Sequence, residues 1–274
     1  MEEDKVKTLE EIRQLKHLLE AEKQEFLSVM SHELRTPMTG VKGYLSMILD
    51  GDAGEVPEGI KDYVAQAYVA NDRLIRLVEK MIKIAEIQED KFKFKISKVN
   101  LAREANQVVK DCQVRANDKK VSLRYVPSQE YFVKSDPDRT REIILTLVNN
   151  AIKFTPTPKH LVRGFTHEGG KIWVSHREAN HWIITDVRDT GIGIRREDQE
   201  RLFELFSKGN LTLTGQERGT GIGLYLARRL AEAQNGRLWL DQSELGKGST
   251  FSLALPKYQN IIRQGAKWNK KQFF

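Results

Sequence analysis

The sequence predicts two joined parts. The first is an α-helical hairpin that self-associates into a dimeric four-helix bundle. The second is an α/β domain with helices packed on a mixed sheet. Three observations predict this. A heptad seam runs from residue 60 to 85, a Gly/Pro-rich break at 50–59 separates it from a preceding helix, and after about residue 92 strand-like stretches alternate with helical ones. The chain has 274 residues, 39% hydrophobic and 30% charged, which suffices to bury the cores of two modest domains.

Composition narrows the class further. No apolar run approaches the ~18 residues of a membrane span, and no secretory signal opens the chain. The single cysteine, Cys112, excludes a disulfide framework and a thiolate zinc site, and a cytoplasmic location fits. A full-length receptor could still be membrane-bound through a part outside this chain. The net charge of +7 is concentrated at the end: Lys257, Arg263, Lys267, Lys270 and Lys271 face no acidic residue after position 256, which leaves only +2 for the rest. No nucleic-acid partner is expected, and residues 258–274 read as a disordered basic tail.

The N-terminal stretch lacks Gly and Pro. Ile12, Leu19 and Phe26 recur every seven residues beside Leu9 and Leu15, which predicts a coiled-coil signalling helix over 1–24. Apolar positions continue through Leu34, Val41, Leu45 and Ile48 until "DGDAGEVPEG". A second helix then carries Ile60, Val64, Ala67, Asn71, Leu74, Val78, Met81 and Ala85 at alternating steps of four and three. Two helices alone cannot cover such a seam, so a second copy of the hairpin over 25–92 is the economical solution. Asn71 is its one polar member, a candidate for fixing register.

In the second part, "VSLRYVP", "KIWVSHR", "HWIITDVRD" and "STFSLALP" read as strands, and helices are expected near 101–117, 138–153 and 220–235. Three stretches there carry chemistry. In "TLVNNAIKFTP", Asn150 and Lys153 are three apart and share a helix face, while Asn149 points elsewhere. An amide carbonyl suits Mg²⁺ and a lysine suits phosphate. In "DVRDTGIGI", Asp189 ends a strand and can accept a hydrogen bond from an exocyclic amine such as that of adenine. Gly191 and Gly193 permit tight turns beside it. In "ERGTGIGLYLARRLAE", Gly219, Gly221 and Gly223 precede a helix starting at about Leu224, and such an N-terminus binds anions. Between the last two, Phe203 and Phe206 are expected to anchor one face of a short helix, followed by a lid-like loop. "GKGST" reads as the turn before the last strand.

In the first part, "MSHELRTPM" sets His32 beside Glu33 within a helix. Pro37 lacks an N–H, so the Glu33 carbonyl loses its helical donor and a hinge is expected one turn after His32. Neutral imidazole is a competent nucleophile near pH 7.

Together and in this order, these motifs resemble the sensor histidine kinases of two-component systems over roughly residues 10 to 257. "SHELRTP" looks like their H-box, "NNAIKF" the N-box, "DTGIGI" the G1 box, "LFELF" the F-box and "GTGIGL" the G2 box. The resemblance implies a dimerisation and histidine-phosphotransfer domain over 25–92. It also implies a catalytic, Bergerat-type (GHKL) ATP-binding domain of α/β sandwich form over 93–257. It makes His32 the phosphoacceptor and Glu33 the group that accepts or polarises an imidazole proton. Thr36 would position water in a phosphatase reaction. Asn150 would hold Mg²⁺, Lys153 and Lys208 the phosphates, and Phe154 and Asp189 the adenine. Gly191, Gly193, Gly219, Gly221, Gly223 and Leu224 would complete the ATP site. The implied cofactors are ATP and Mg²⁺. The implied partners are a second copy of the chain, the receiver domain of a response regulator that takes the phosphoryl group on an aspartate, and an upstream sensor domain absent from this chain.

One departure stands out: Thr146 occupies the position where the family usually carries a second Asn. It also removes the hydrolytic reading. The gyrase- and Hsp90-like ATPases that the nucleotide motifs also resemble use a Glu there to activate water, and threonine is no general base at neutral pH. A zinc protease is excluded because position 36 is Thr where H-E-x-x-H needs His. The alternative is an ATP-binding-deficient scaffold or pseudokinase that docks partners.

Overall fold

The computed structural model describes residues 33–89, 91–126, 129–155, 169–207 and 220–258. The chain divides into two compact units at Phe92/Lys93. His32, Lys208, Gly219, the coiled-coil stretch and the tail beyond Tyr258 lie outside the described residues.

The first unit contains helix α1, whose described part spans 33–50, and helix α2, Glu58–Gln88. The break falls where the glycines predict it. Gly51 and Gly54 both adopt positive φ, a region that costs a side chain strain, and Pro57 stands at the N-cap position of α2 without a side-chain cap. Across the hairpin, Asn71 Nδ2 donates to the Met38 carbonyl at 2.8 Å and Lys42 Nζ pairs with Asp72 at 2.6 Å. Asn71, Val78 and Ala85 of the predicted seam are buried, whereas Ile60 and Leu74 remain more than half exposed.

The second unit is a two-layer sandwich. Its five-stranded sheet comprises β2 (Ser122–Val126), β4 (Lys171–Ala179), β5 (Trp182–Asp189), β6 (Arg237–Glu244) and β7 (Gly248–Pro256), in the order β2-β4-β5-β7-β6. β2 and β4 run parallel; the other neighbours are antiparallel. Two short strands, β1 (Ser97–Asn100) and β3 (Phe132–Ser135), form a separate antiparallel pair closed by Val99 against Val133. Leu123, Ile172, Val174, Val187 and Leu253 are buried at alternating strand positions, as one covered sheet face requires.

Three helices supply the cover: α3 (Leu101–Asp118), α4 (Pro137–Phe154) and α6 (Gly223–Ala233). α4 packs between the other two. Its buried residues Thr140, Ile143, Ile144, Leu147, Val148, Ala151 and Ile152 recur at steps of three and four, so one stripe faces the core. Asp136 fixes its start. The carboxylate accepts the Arg139 amide at 3.1 Å and the Lys95 amide at 2.7 Å, while the Asp136 amide donates to Gln234 Oε1 at 2.7 Å. Pro137 follows at the first helical position, where a missing N–H costs nothing.

The predicted helices and strands are found, with differences. β1, β3 and β6 were not expected. The Tyr258 amide donates to the Phe132 carbonyl at 2.8 Å, which ties the segment after β7 to β3. Phe203 and Phe206 do not share a helix face. The short helix here, α5, is Arg196–Gln199, and Phe206 sits at φ +63° and is 47% exposed. Phe203 packs edge-on to Phe251 with ring centroids 6.3 Å apart.

Candidate functional site

The end of α4 supplies the first group of residues. Asn150, Lys153 and Phe154 fall in its last turns, all half-buried. The helix is a good former up to "KFTP", and its exposed C-terminal carbonyls are met by a cation: Lys119 Nζ donates to Ile152 O at 3.3 Å and to Lys153 O at 2.7 Å. Lys153 Nζ lies 4.7 Å from the centroid of the Phe154 ring. Asn149 turns the other way, its Oδ1 lying 3.8 Å from Cys112 Sγ of α3. Thr146, one turn before Asn150, donates its hydroxyl to Glu142 O at 2.8 Å.

Asp189 ends β5, 6% exposed. Its Oδ1 accepts the Gly191 amide at 2.7 Å. Burial pushes its pKa up to about 6, against the pull of hydrogen bonds from the Gly191 and Ser249 backbone. The two glycines that follow are required by close approach. A Cβ on Gly191 would lie 2.6 Å from both Asp189 Oδ1 and Phe154 O, and one on Gly193 (φ +68°) would lie 2.0 Å from Glu244 O. The Ile192 amide donates to Phe154 O at 3.2 Å. The end of α4 and the turn after β5 are therefore sewn together.

The third group meets the first. Gly221 (φ +73°) leaves no room for a Cβ against Phe206 and Ser207, and its carbonyl accepts the Phe206 amide at 3.1 Å. Gly223 opens α6, and Ile222 at the N-cap position makes no side-chain cap hydrogen bond. A Cβ on Gly223 would touch Thr146 Cγ2 at 3.5 Å, so this N-terminus abuts α4 one turn from Asn150. Leu224 is half-buried in the first turn of α6. A helix start packed on α4 one turn from Asn150 is suited to an anion with a bound cation, and a buried carboxylate in a turn hydrogen-bonded to the Phe154 carbonyl is suited to an amino-bearing heterocycle.

Glu33 and Thr36 stand on α1 in the first unit, both exposed. Sequence reasoning missed two contributors. Gly248 (φ +101°) backs Asp189 so closely that a Cβ would lie 2.0 Å from its carbonyl oxygen. Lys119 holds the end of α4. The first carried a signal, the second glycine of "GKGST". The second carried none, because it depends on α3 and α4 lying side by side.

Among the described residues no group of three or more His, Cys, Asp or Glu could hold a metal. The oxygen donors here are the Asn150 amide and the Thr146 hydroxyl. That set fits Mg²⁺, which keeps its waters and takes ligand phosphates rather than a full protein cage.

A mixed sheet backed by three helices, with these three motifs drawn together at the end of α4, defines a GHKL-type ATP-binding domain following a helical hairpin. The family comparisons agree with both halves. Residues 22–90 match the His Kinase A (phospho-acceptor) domain and residues 135–259 match the histidine kinase-, DNA gyrase B- and HSP90-like ATPase. The chain belongs to the two-component histidine kinases and comprises their catalytic core. It is 31% identical over 245 residues to the circadian input-output histidine kinase CikA of Synechococcus elongatus, covering 88% of this chain and 31% of that protein. It is 27% identical over 240 residues to the sensor histidine kinase WalK of Bacillus subtilis, covering 87% and 37%. The chain thus spans about a third of the length of the curated relatives it matches. Full-length ShkA in complex with AMPPNP superposes with a TM-score of 0.70 at 26% identity, covering 87% of this chain and 47% of that one.

Proposed function

We propose that this chain autophosphorylates His32 from ATP and passes the phosphoryl group to an aspartate on the receiver domain of a response regulator. The observation that carries the reading is the stitching of α4, the Asp189 turn and the Gly221–Gly223 turn into one cluster. ATP occupies that cluster. The Asp189 carboxylate accepts the adenine amine, and Phe154 lies against the base. Lys153, Lys208 and the first amides of α6 hold the phosphates, with Gly219 leading into that turn. Asn150 would hold Mg²⁺, which would offset the negative charge of the transferring phosphate.

One ring nitrogen of His32 forms the P–N bond as the P–O bond to the β-phosphate breaks and ADP leaves. Glu33 takes or polarises the proton on the other ring nitrogen. Thr36 positions water when the protein removes the phosphoryl group from its partner. ShkA was solved with AMPPNP, an ATP analogue, which supports ATP as the substrate here.

The exposed apolar residues Leu34, Val41, Tyr44, Ile60, Tyr63 and Leu74 support a homodimer formed by the hairpin, since a monomer would leave this face in water. No helix among the described residues is long and apolar enough to cross a membrane, in keeping with a cytoplasmic segment. No comparison favours the pseudokinase alternative. Incubation with Mg²⁺ and γ-labelled ATP tests the reading. Wild type takes up label and His32→Ala does not; equal label in His32→Ala removes His32 from its role.

A further inference from the structure

Two features disturb α1 just after His32. Pro37 cannot donate to the Glu33 carbonyl, and the Thr39 hydroxyl bonds back to Arg35 O at 2.8 Å, a contact that bends helices. Immediately below them, α1 is gripped twice by adjacent residues of α2. Asn71, 8% exposed, donates Nδ2 to the Met38 carbonyl at 2.8 Å. Asp72 accepts Lys42 Nζ at 2.6 Å and is braced by Arg76 one turn on. Lys42 also lies over the Tyr68 ring, 5.5 Å from its centroid.

Asn71 is an odd choice for packing alone. Its heptad neighbours along the seam are Ala67, Leu74 and Val78, and a buried amide is worse for stability there than a leucine. Met38 already lies inside the helical run, so its carbonyl does not depend on Asn71 for a place in the helix ladder. The donor therefore adds a cross-helix tie at a chosen height, the residue after Pro37.

We infer that Asn71 is a positioning residue: with Asp72 it anchors α1 at Met38 and Lys42, so that bending at Pro37 swings the His32 segment against a fixed base. This rests on the phosphoacceptor role of His32. Without the tie, bending spreads along α1 and the imidazole reaches the γ-phosphoryl group in productive geometry less often. ATP binding, made in the other unit, is untouched.

The test uses the full chain. Asn71→Leu fills the seam and removes the donor. Its melting temperature is expected to stay equal or rise, and the KM for ATP to stay unchanged. The autophosphorylation kcat is expected to fall about tenfold or more, as misplacement of a reacting group does. Lys42→Met removes the second tie and lowers kcat in the same direction, with a smaller effect. A wild-type kcat in Asn71→Leu overturns the inference, as does a loss carried by KM. If Asn71→Leu fails to fold, Lys42→Met decides: an unchanged kcat there overturns it. Label present in wild type, absent in His32→Ala and unaltered in Asn71→Leu defeats only the role of Asn71. No label in wild type defeats the kinase reading and this inference with it.

Discussion

Asp189 and Gly191 are held by one hydrogen bond, Gly191 N–H to Asp189 Oδ1 at 2.7 Å, in a turn so tight that a Cβ on Gly191 would collide with the same oxygen. The bond aims a buried carboxylate that burial itself disfavours. The folded-state pKa is about 6 against an ordinary 3.8. The folded protein therefore keeps a proton that the unfolded chain releases, and this group's contribution to stability is lost as pH rises from about 4 through 6. In the proposed adenine-binding role of Asp189, nucleotide binding is expected to run the opposite way, because the ionised carboxylate is the better acceptor for an amine. ATP affinity is expected to strengthen as pH rises through about 6. Asp189→Asn is expected to leave the free protein as stable or more so above pH 6, yet weaken ATP roughly 10–100-fold, the worth of a hydrogen bond to a charged acceptor. Calorimetric titration at pH 5.5 and 7.5 checks both.

Gly193 is placed for backbone geometry. It combines a positive φ with a carbonyl, Glu244 O, only 2.0 Å from where a Cβ would stand. Gly193→Ala is expected to cost about 2–5 kcal/mol in urea unfolding, from left-handed backbone strain together with overpacking. Gly223→Ala, where the corresponding contact is an ordinary 3.5 Å, is expected to cost far less.

His176 reports on acid. It is buried between Tyr125 and Tyr131, with Nδ1 3.0 Å from Thr185 Oγ1, and burial lowers its pKa to about 4. The unfolded chain binds a proton below about 6.5 that the folded one refuses until about 4. Stability from this group is thus complete above pH 6.5 and is lost as pH falls through that window, on the order of 3 kcal/mol in all. Thermal melts of His176→Phe from pH 7 to 4.5 are expected to show a flatter decline than wild type.

Thr146 tests the metal. Its hydroxyl donates to Glu142 O, which leaves the Asn150 amide as the one carbonyl donor of the two. Thr146→Asn adds a second carbonyl oxygen one turn away. It is expected to lower the Mg²⁺ concentration for half-maximal autophosphorylation severalfold, since a carbonyl is a better ligand than a hydroxyl. An unchanged Mg²⁺ dependence would place the ion away from position 146.

Much of this was legible in the sequence, for reasons tied to particular residues. The α4 stripe from Thr140 to Ile152 and the glycines at 191, 193, 221 and 223 announce themselves through periodicity and spacing. β1 and β3 did not, because four-residue strands such as "SKVN" lack room for an alternating pattern. β6 was hidden behind the Asn235–Gly236 turn, and a bulge between Leu240 and Gln242 interrupts its alternation. The Phe203/Phe206 pairing misled because a step of three implies a shared face only in a helix, and Phe206 sits in the left-handed region. Gly248 left a trace in "GKGST", but its close approach to Asp189 O is tertiary, and Lys119 acts through a helix neighbour that no local pattern encodes.

The most direct measurement is the chemical identity and position of the transferred phosphoryl group. After incubation with Mg²⁺ and ATP, the wild-type chain is digested with trypsin and the peptide spanning residues 24–35 is examined by mass spectrometry. That peptide is predicted to carry one phosphoryl group that survives base, is lost in acid, and maps to His32. A phosphoryl group on a serine or threonine, or none on this peptide while the chain binds ATP, would contradict it.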